Sequence, residues 1–128
     1  MKNEENDIGK QGEDMAAVWY LERGYRLRDR NWRTGHLECD LILEKEGELI
    51  FAEVKTRSGT GFGPPESFVT LKKQRDLLFL ANRYVQQKEL DLSCRFDIVS
   101  ILFREGRQEI KIIESAFTAV SVNMSRRR

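Results

Sequence analysis

Residues 37–55 read LECDLILEKEGELIFAEVK, and this stretch decides the fold. It contains two apolar runs, Leu37–Glu44 and Glu48–Lys55, which are separated by the three residues Lys45-Glu46-Gly47. Two strand-like runs joined by a short segment with a glycine are typical of a β-hairpin. We therefore predict two neighbouring antiparallel strands in this part of the chain.

The second strand of this hairpin carries charged side chains where burial is expected. Successive side chains of a strand alternate between its two faces, so Glu53 and Lys55 share a face with Phe51. The opposite face is apolar as well, which indicates a central strand. A buried carboxylate and a buried ammonium group are each costly unless they are paired or bound to something. The two charges therefore mark a candidate functional site.

Asp40 on the first strand adds a second carboxylate. It is followed by three apolar residues and is nearly as far from the turn as Glu53, so the two should approach each other. Close carboxylates repel unless one binds a proton or a cation lies between them. Mg²⁺ would relieve the repulsion, and the backbone carbonyl of Val54 could supply another oxygen ligand. If the site acts on a phosphate, Lys55 could hold the water that attacks the phosphorus atom. The alternative is a Glu53–Lys55 ion pair with Asp40 in water at the strand end.

An amphipathic helix is predicted before the hairpin, over Ile8–Arg23, and Gly24 suits its C-terminal cap. Glu13 lies one turn before Ala16 and Ala17, beside the apolar stripe of this helix. From there its carboxylate could bind a second ion or position the first ion through water. The alternative is an exposed carboxylate that is favoured by the positive end of the helix dipole.

The remaining segments complete one sheet with two helices. They are a short strand at Tyr25–Arg30, a turn at Asn31–Gly35, a loop at residues 57–67, a helix from its capping residue Ser67 to about Lys88, and strands at Arg95–Phe103 and Glu109–Ile113. The order αβββαββ predicts an α/β fold in which helices flank a mixed central β-sheet of about five strands.

Basic residues near the hairpin and at the start of the second helix are candidate nucleic-acid contacts: Arg30, Arg33, Arg57 and Lys73. Such side chains commonly bind the phosphate backbone. For each of them the alternative is a solvated or structural cation. Trp32 is expected to pack into the core. His36, the only histidine, is expected to be solvated and cannot form a zinc site by itself.

Length and composition are those of an ordinary globular protein. The 128 residues predict a single domain, 1–128, whose ends at residues 1–7 and 121–128 are expected to be flexible. The formal net charge of +1 argues against a strongly basic module of the histone or ribosomal kind. Cys39 and Cys94 are expected to be buried and reduced. With no secretory leader and no apolar stretch of membrane-spanning length, a cytoplasmic protein without a membrane partner is expected.

The acidic residues and the lysine resemble a known signature. Asp40, Glu53 and Lys55 form the pattern D-x(12)-E-x-K, similar to that of the PD-(D/E)XK nuclease superfamily, which includes the Holliday-junction resolvases. Over about residues 8–103 the chain resembles the YraN family of small bacterial proteins. The stretches that carry this resemblance include GKQGEDMA at 9–16, RNWR at 30–33, ECDLI at 38–42, FAEVKTR at 51–57 and RFD at 95–97. Cys39, His36 and Leu37 depart from the usual residues of the family.

The resemblance implies a restriction-endonuclease-like core with the catalytic residues Asp40, Glu53, Lys55 and Glu13. It implies Mg²⁺, for which Mn²⁺ can substitute, held by Asp40, Glu53, Glu13 and the carbonyl of Val54. The expected activity is that of an endodeoxyribonuclease on DNA, in particular branched or otherwise structured DNA, without a small-molecule cofactor. A symmetric substrate would favour a homodimer. The alternative is a nucleic-acid- or partner-binding module on a nuclease fold with little or no catalysis.

Overall fold

The computed structural model describes residues 4–58 and 69–118. Two helices and five strands follow one another along the chain: α1 (Glu4–Glu22), β1 (Arg26–Thr34), β2 (Leu37–Lys45), β3 (Glu48–Ser58), α2 (Leu71–Gln87), β4 (Ser93–Arg104) and β5 (Arg107–Phe117). This is the predicted order αβββαββ. The predicted hairpin of residues 37–55 is confirmed as β2 and β3, which pair antiparallel.

The five strands form one sheet in the order β1-β2-β3-β4-β5. Three of the four pairs are antiparallel, and β3 and β4 are parallel. A parallel pair needs a crossover connection, and the part of the chain between β3 and β4 contains α2. The predicted mixed sheet flanked by helices is therefore confirmed.

The two helices pack against opposite faces of the sheet. Ala16, Ala17 and Tyr20 of α1 share one apolar cluster with Leu41, Leu43, Ile50 and Val99. Leu77, Leu80 and Tyr84 of α2 share the other cluster with Ile42, Leu49, Phe51 and Phe96. Adjacent residues of β3 thus enter different clusters, which explains why this central strand is apolar on both faces. The face that carries Phe51 also carries Glu53, so Glu53 lies on the side of α2.

The first strand is longer than predicted. β1 runs to Thr34, so the expected turn at Asn31–Gly35 is wrong, and the chain reverses at Gly35 and His36 instead. Asn31 keeps a left-handed backbone (φ 50°) within the strand. β1 is an edge strand with mostly exposed or half-buried positions. Such a strand needs no apolar alternation, so the charged residues after Arg30 gave no signal of where the strand ends. Trp32 packs on Tyr84, as expected.

The other element boundaries also differ from expectation. α1 begins at Glu4, four residues before the predicted Ile8, and β3 continues to Ser58 into the segment that was expected to be a loop, because pairing with β4 extends to that residue. The predicted cap at Ser67 is wrong, since α2 is capped by Thr70, whose side chain accepts a hydrogen bond from the backbone N–H of Lys73. The remainder of the predicted loop, at residues 59–67, and the outer ends of the chain, at 1–3 and 119–128, lie outside the described residues.

Two expectations about single side chains are settled by burial. Cys39 is buried and Cys94 is exposed, so the expectation of two buried cysteines is wrong for Cys94; neither forms a disulfide. Burial also raises the pKa of the Cys39 thiol well above its ordinary value. His36 is exposed, as expected.

Across the described residues, no helix has the length and apolar character that crossing a bilayer requires.

A close approach between α1 and β3 depends on Gly12. A Cβ atom at this position would fall on Cγ2 of Thr56, with a methyl group of Ile101 close by. Threonine is stiff at χ1, so it cannot yield easily. Glu13, the next residue, is therefore held near the sheet because residue 12 has no side chain.

Gly12→Ala is expected to lower the free energy of unfolding by about 1–3 kcal/mol, because the added methyl group overpacks this contact. The control is Gly9→Ala in the same helix, where nothing lies within 4 Å of the added Cβ. Alanine is the better helix former, so this variant should gain about 0.5–1 kcal/mol. Urea denaturation measures both values, and equal effects at the two positions would contradict the packing seen here.

Candidate functional site

The site begins where β2 and β3 stop pairing. Their regular register ends at Leu41 and Ala52. Just beyond this point, the backbone N–H of Val54 donates to Oδ2 of Asp40 over 2.7 Å. A side chain thus replaces a backbone carbonyl as the acceptor, and the Asp40 carboxylate is fixed against β3 beside Glu53. This bond brings the two predicted carboxylates together.

Glu53 is buried, with 5% of its surface exposed. Its Oε2 lies 3.4 Å from Nζ of Lys73 and 3.7 Å from Nζ of Lys55. Its Oε1 has no hydrogen-bond partner, and among the described residues it is the only buried side-chain oxygen or nitrogen in that position. Native structures rarely leave such an atom unsatisfied, so Oε1 points to a missing ligand.

Negative charge accumulates around Asp40. Burial raises the pKa of its carboxyl group to about 7, and repulsion from Glu53 is the second cause. The Val54 N–H and the Lys73 ammonium group act in the opposite direction, and Glu13 adds to the rise. Between about pH 4 and 7 the folded protein therefore keeps a proton on Asp40 that an ordinary aspartic acid would have lost. A cation placed here could take over that role.

Glu13 lies at the margin of this pair. Its Oε1 is 3.3 Å from a guanidinium nitrogen of Arg30, and its Oε2 accepts a hydrogen bond of 3.4 Å from the side chain of Asn31. Arg30 also donates to Asp14 over 2.8 Å. Glu13 is close enough to influence Asp40, yet its oxygens face β1. Its assignment to a metal ion stays a prediction.

Of the carboxylates predicted to bind a metal ion, only those of Asp40 and Glu53 form a close pair. In the described ranges, no three His, Cys, Asp or Glu side chains are grouped in a way that could hold a metal ion. Asp40 and Glu53 form a two-carboxylate arrangement, and Val54 follows Glu53 on β3. A third protein ligand would have to be a backbone oxygen, or Glu13 after it has turned away from Arg30.

The predicted basic residues fall into two groups. Lys73 contacts Glu53 and Arg30 contacts Glu13, so both lie at the site. Arg33 pairs with Glu38 over 2.8 Å, and Arg57 donates to the backbone oxygen of Thr56. Their binding of nucleic acid stays a prediction.

Two features of the site were missed in the sequence. The first is Asp14, which binds Arg30 together with Glu13. The adjacent acidic residues Glu13 and Asp14 in the sequence could have indicated that both bind one cation. The bond between the Val54 N–H and Asp40 had no signal in the sequence, because it depends on the residue at which strand pairing ends.

Comparisons with known proteins agree with the motifs. The profile of the uncharacterised protein family UPF0102 matches residues 12–101, a range that contains Glu13, Asp40, Glu53, Lys55 and Lys73. A UPF0102 protein of Bacteroides fragilis is 47% identical over 115 residues, which cover 89% of this chain and 94% of the relative. One from Bacteroides thetaiotaomicron is 42% identical over 114 residues, with coverages of 89% and 94%. One from Rhodococcus opacus is 41% identical over 112 residues, with coverages of 86% and 95%. The chain therefore belongs to the uncharacterised protein family UPF0102, the YraN family that its motifs resemble.

Proposed function

We propose that this protein is a metal-dependent endonuclease that hydrolyses phosphodiester bonds in DNA, with branched or otherwise structured DNA as its substrate. The observation that carries the proposal is the Asp40–Glu53 pair, in which one buried carboxylate oxygen lacks a partner next to Lys55. If Glu53 served only in a structural ion pair, nothing would offset the cost of burying its Oε1 without a partner.

The donor set fits a hard divalent cation. Asp40 and Glu53 would hold Mg²⁺ or Mn²⁺, with the carbonyl of Val54 and the carboxylate of Glu13 as further oxygen ligands. Two protein carboxylates are sufficient for Mg²⁺, which keeps several of its waters and is often bound by one or two carboxylates plus a substrate phosphate. When bound, such an ion supplies positive charge at the phosphate and promotes the deprotonation of a water molecule.

Lys55 and Lys73 supply fixed positive charge at the same place. Each lies within 4 Å of Oε2 of Glu53, and the Lys55 side chain keeps 32% of its surface exposed. Lys55 is therefore accessible from solvent. It would orient the attacking water by hydrogen bonding and stabilise charge that develops on the phosphate oxygens. Lys73 would contact the neighbouring phosphate.

The arginines next to the site would position the DNA. Arg30 is bound to Glu13 and Asp14, and it would exchange one of these carboxylates for a phosphate. Arg33 and Arg57 would add contacts on either side. A two-fold symmetric substrate such as a four-way junction would be cut by two copies of the chain, so we propose a homodimer on such DNA.

A binding module without catalysis is the second candidate. The pairing of Arg30 and Arg33 with acidic side chains favours the partner-binding form of such a module, because cations that are partly neutralised within the protein attract phosphates less. A pure binding module would need neither the accessible Lys55 nor a vacant carboxylate oxygen. Cleavage assays separate the two candidates.

The experiment is cleavage of junction, flap and duplex DNA in Mg²⁺, in Mn²⁺ and in EDTA. We expect cleavage only with a divalent ion, and at least a 100-fold loss in Lys55→Met, in line with the removal of one charge-stabilising donor. The matched control is Lys111→Met on β5, which is exposed and should keep full activity. DNA binding without cleavage by any of the proteins would favour the binding module. Equal cleavage by the Lys55 and Lys111 variants would contradict the assigned site.

A further inference from the structure

The solvent face of α2 carries an exposed aromatic ring. Phe79 leaves 57% of its surface in water, and among the described residues it is the only aromatic side chain with such exposure. The opposite face of α2 provides Leu77, Leu80 and Tyr84 to the core. Phe79 therefore contributes little to packing. A single exposed apolar residue is ordinary by itself, so its neighbours on the helix decide what this face could bind.

Two arginines flank this ring along the helix. Arg75 and Arg83 lie one turn before and one turn after Phe79, so the three side chains form a single stripe. Both arginines are exposed, and no acidic side chain of the described residues pairs with either of them. Asp76, the residue after Arg75, is paired with Lys72 over 2.9 Å. The stripe consequently combines a free aromatic face with two free positive charges.

The stripe begins beside the candidate cleavage site. Lys73, two residues before Arg75, reaches inward to Glu53, whereas Arg75 faces solvent from the same turn of the helix. From Arg75 to Arg83 the helix rises by about 12 Å, which is the length of three to four stacked nucleotides at about 3.4 Å each. A strand whose phosphate contacts Lys73 could continue over α2.

The chemistry of the stripe favours a strand with unpaired bases. A base inside a duplex has both faces stacked and cannot cover Phe79, whereas an unpaired base can stack on an aromatic ring. The arginines on either side would pair with the phosphates of the same strand. If an apolar protein surface bound to the stripe instead, it would bury the guanidinium groups of Arg75 and Arg83 without a counter-charge, which is costly.

We propose that the stripe of Arg75, Phe79 and Arg83 binds an unpaired DNA strand next to the cleavage site, with a base stacked on Phe79 and phosphates on the two arginines. The inference rests on the proposed function, which explains why the stripe begins next to Lys73 and Glu53. Among the structured DNA substrates of the proposed function, it favours those in which a single-stranded arm or flap adjoins the scissile bond.

The test measures binding of a fluorescent 20-nucleotide oligo-dT to the full chain by anisotropy, in EDTA, so that cleavage plays no part. Phe79→Ala is expected to weaken binding by about 5- to 100-fold, the range for loss of one stacked base. Arg75→Gln and Arg83→Gln should each reduce the slope of affinity against salt by about 0.7. The matched controls are Leu21→Ala, a 49% exposed apolar residue on α1, and Arg107→Gln, which should leave oligo-dT binding unchanged.

Cleavage and light scattering complete the test. Phe79→Ala should cut duplex DNA as the wild type does and flap DNA more slowly. If wild type binds oligo-dT through the stripe but cuts nothing, this inference stands and the nuclease proposal fails. Equal oligo-dT affinity of Phe79→Ala and wild type would overturn the inference. So would a change from dimer to monomer in Phe79→Ala with unchanged DNA binding, since the face would then belong to a second copy of the chain.

Discussion

Asp40→Asn is expected to stabilise the protein at pH 8 while it abolishes DNA cleavage. The folded protein raises the pKa of Asp40 from 3.8 to about 7, chiefly through burial and secondly through repulsion from Glu53. Ionised Asp40 therefore opposes folding. Asparagine removes the charge and keeps an oxygen that can accept the hydrogen bond of the Val54 N–H.

The sign of the pH dependence follows from the same shift. Because the folded-state pKa lies above the unfolded one, the stability that Asp40 contributes is fully present below pH 4. It decreases as the pH rises towards 7 and is lost above that. Wild type should therefore lose stability between pH 4 and 7 through this group, and Asp40→Asn should not. At pH 8 we expect the variant to be more stable by about 1–3 kcal/mol, with little difference at pH 4.

Urea denaturation at the two pH values measures this effect. Cleavage in Mn²⁺ measures the loss of activity, which should be at least about 100-fold because a ligand of the proposed metal ion is removed. The control is Asp91→Asn, an exposed residue of the segment before β4, which should change stability by less than about 0.5 kcal/mol. A variant that is less stable than wild type at pH 8, or that still cuts DNA, would contradict the assignment of Asp40.

Asp97→Ala is expected to cause the largest loss of stability, about 3–5 kcal/mol, because it breaks a buried ion pair from one side. Asp97 is 1% exposed and accepts hydrogen bonds from Tyr20 at 2.7 Å and from Arg95 at 2.8 and 2.9 Å. The backbone N–H of Ser115 donates to it as well, over 3.1 Å. One carboxylate thus joins α1, β4 and β5, and Arg95 would lose its closest partner.

Tyr20→Phe separates the hydrogen bond from the ion pair. It removes only the hydroxyl group that bonds Asp97, so a loss of about 1–2 kcal/mol is expected. Asp91→Ala, exposed and outside the network, is the control for removal of a carboxylate. Urea denaturation measures all three variants. A loss below 1 kcal/mol in Asp97→Ala would show that this network does not hold α1 on the sheet.

Much of the fold could be predicted because apolar patterns are strong in the centre of the sheet. The two apolar runs of β2 and β3 and the short glycine-containing segment between them predicted the hairpin, and the two apolar faces of β3 predicted its central position. β1 could not be delimited, because an edge strand tolerates charge on both faces and Arg26–Thr34 offers no alternation. The helix cap was misplaced because Ser67 and Thr70 are both good capping residues, and only the backbone geometry selects Thr70.

The site was predictable to a lesser degree. The cost of burying Glu53 indicated a functional site, and the similar distance of Asp40 from the hairpin turn placed a second carboxylate beside it. Lys55 was assigned to the same site because it shares a face of the strand with Glu53. The partner of Glu13 could not be predicted, because the choice between Asp40 and Arg30 depends on how α1 crosses β1. Lys73 was suspected only as a DNA contact, whereas its closest partner is Glu53. Contacts between elements that are distant in the sequence depend on the angle at which these elements pack, and no local sequence pattern encodes that angle.

Isothermal titration of the full chain with Mn²⁺ at pH 8 tests the proposed metal site most directly. Wild type is expected to bind the ion with measurable heat, and more weakly at pH 6, where the ion must displace the proton held by Asp40. Glu53→Gln should bind none, whereas Glu109→Gln, an exposed control on β5, should bind as wild type does. Equal binding by Glu53→Gln and wild type, or no binding by either, would contradict the account of the Asp40–Glu53 pair as a cation site.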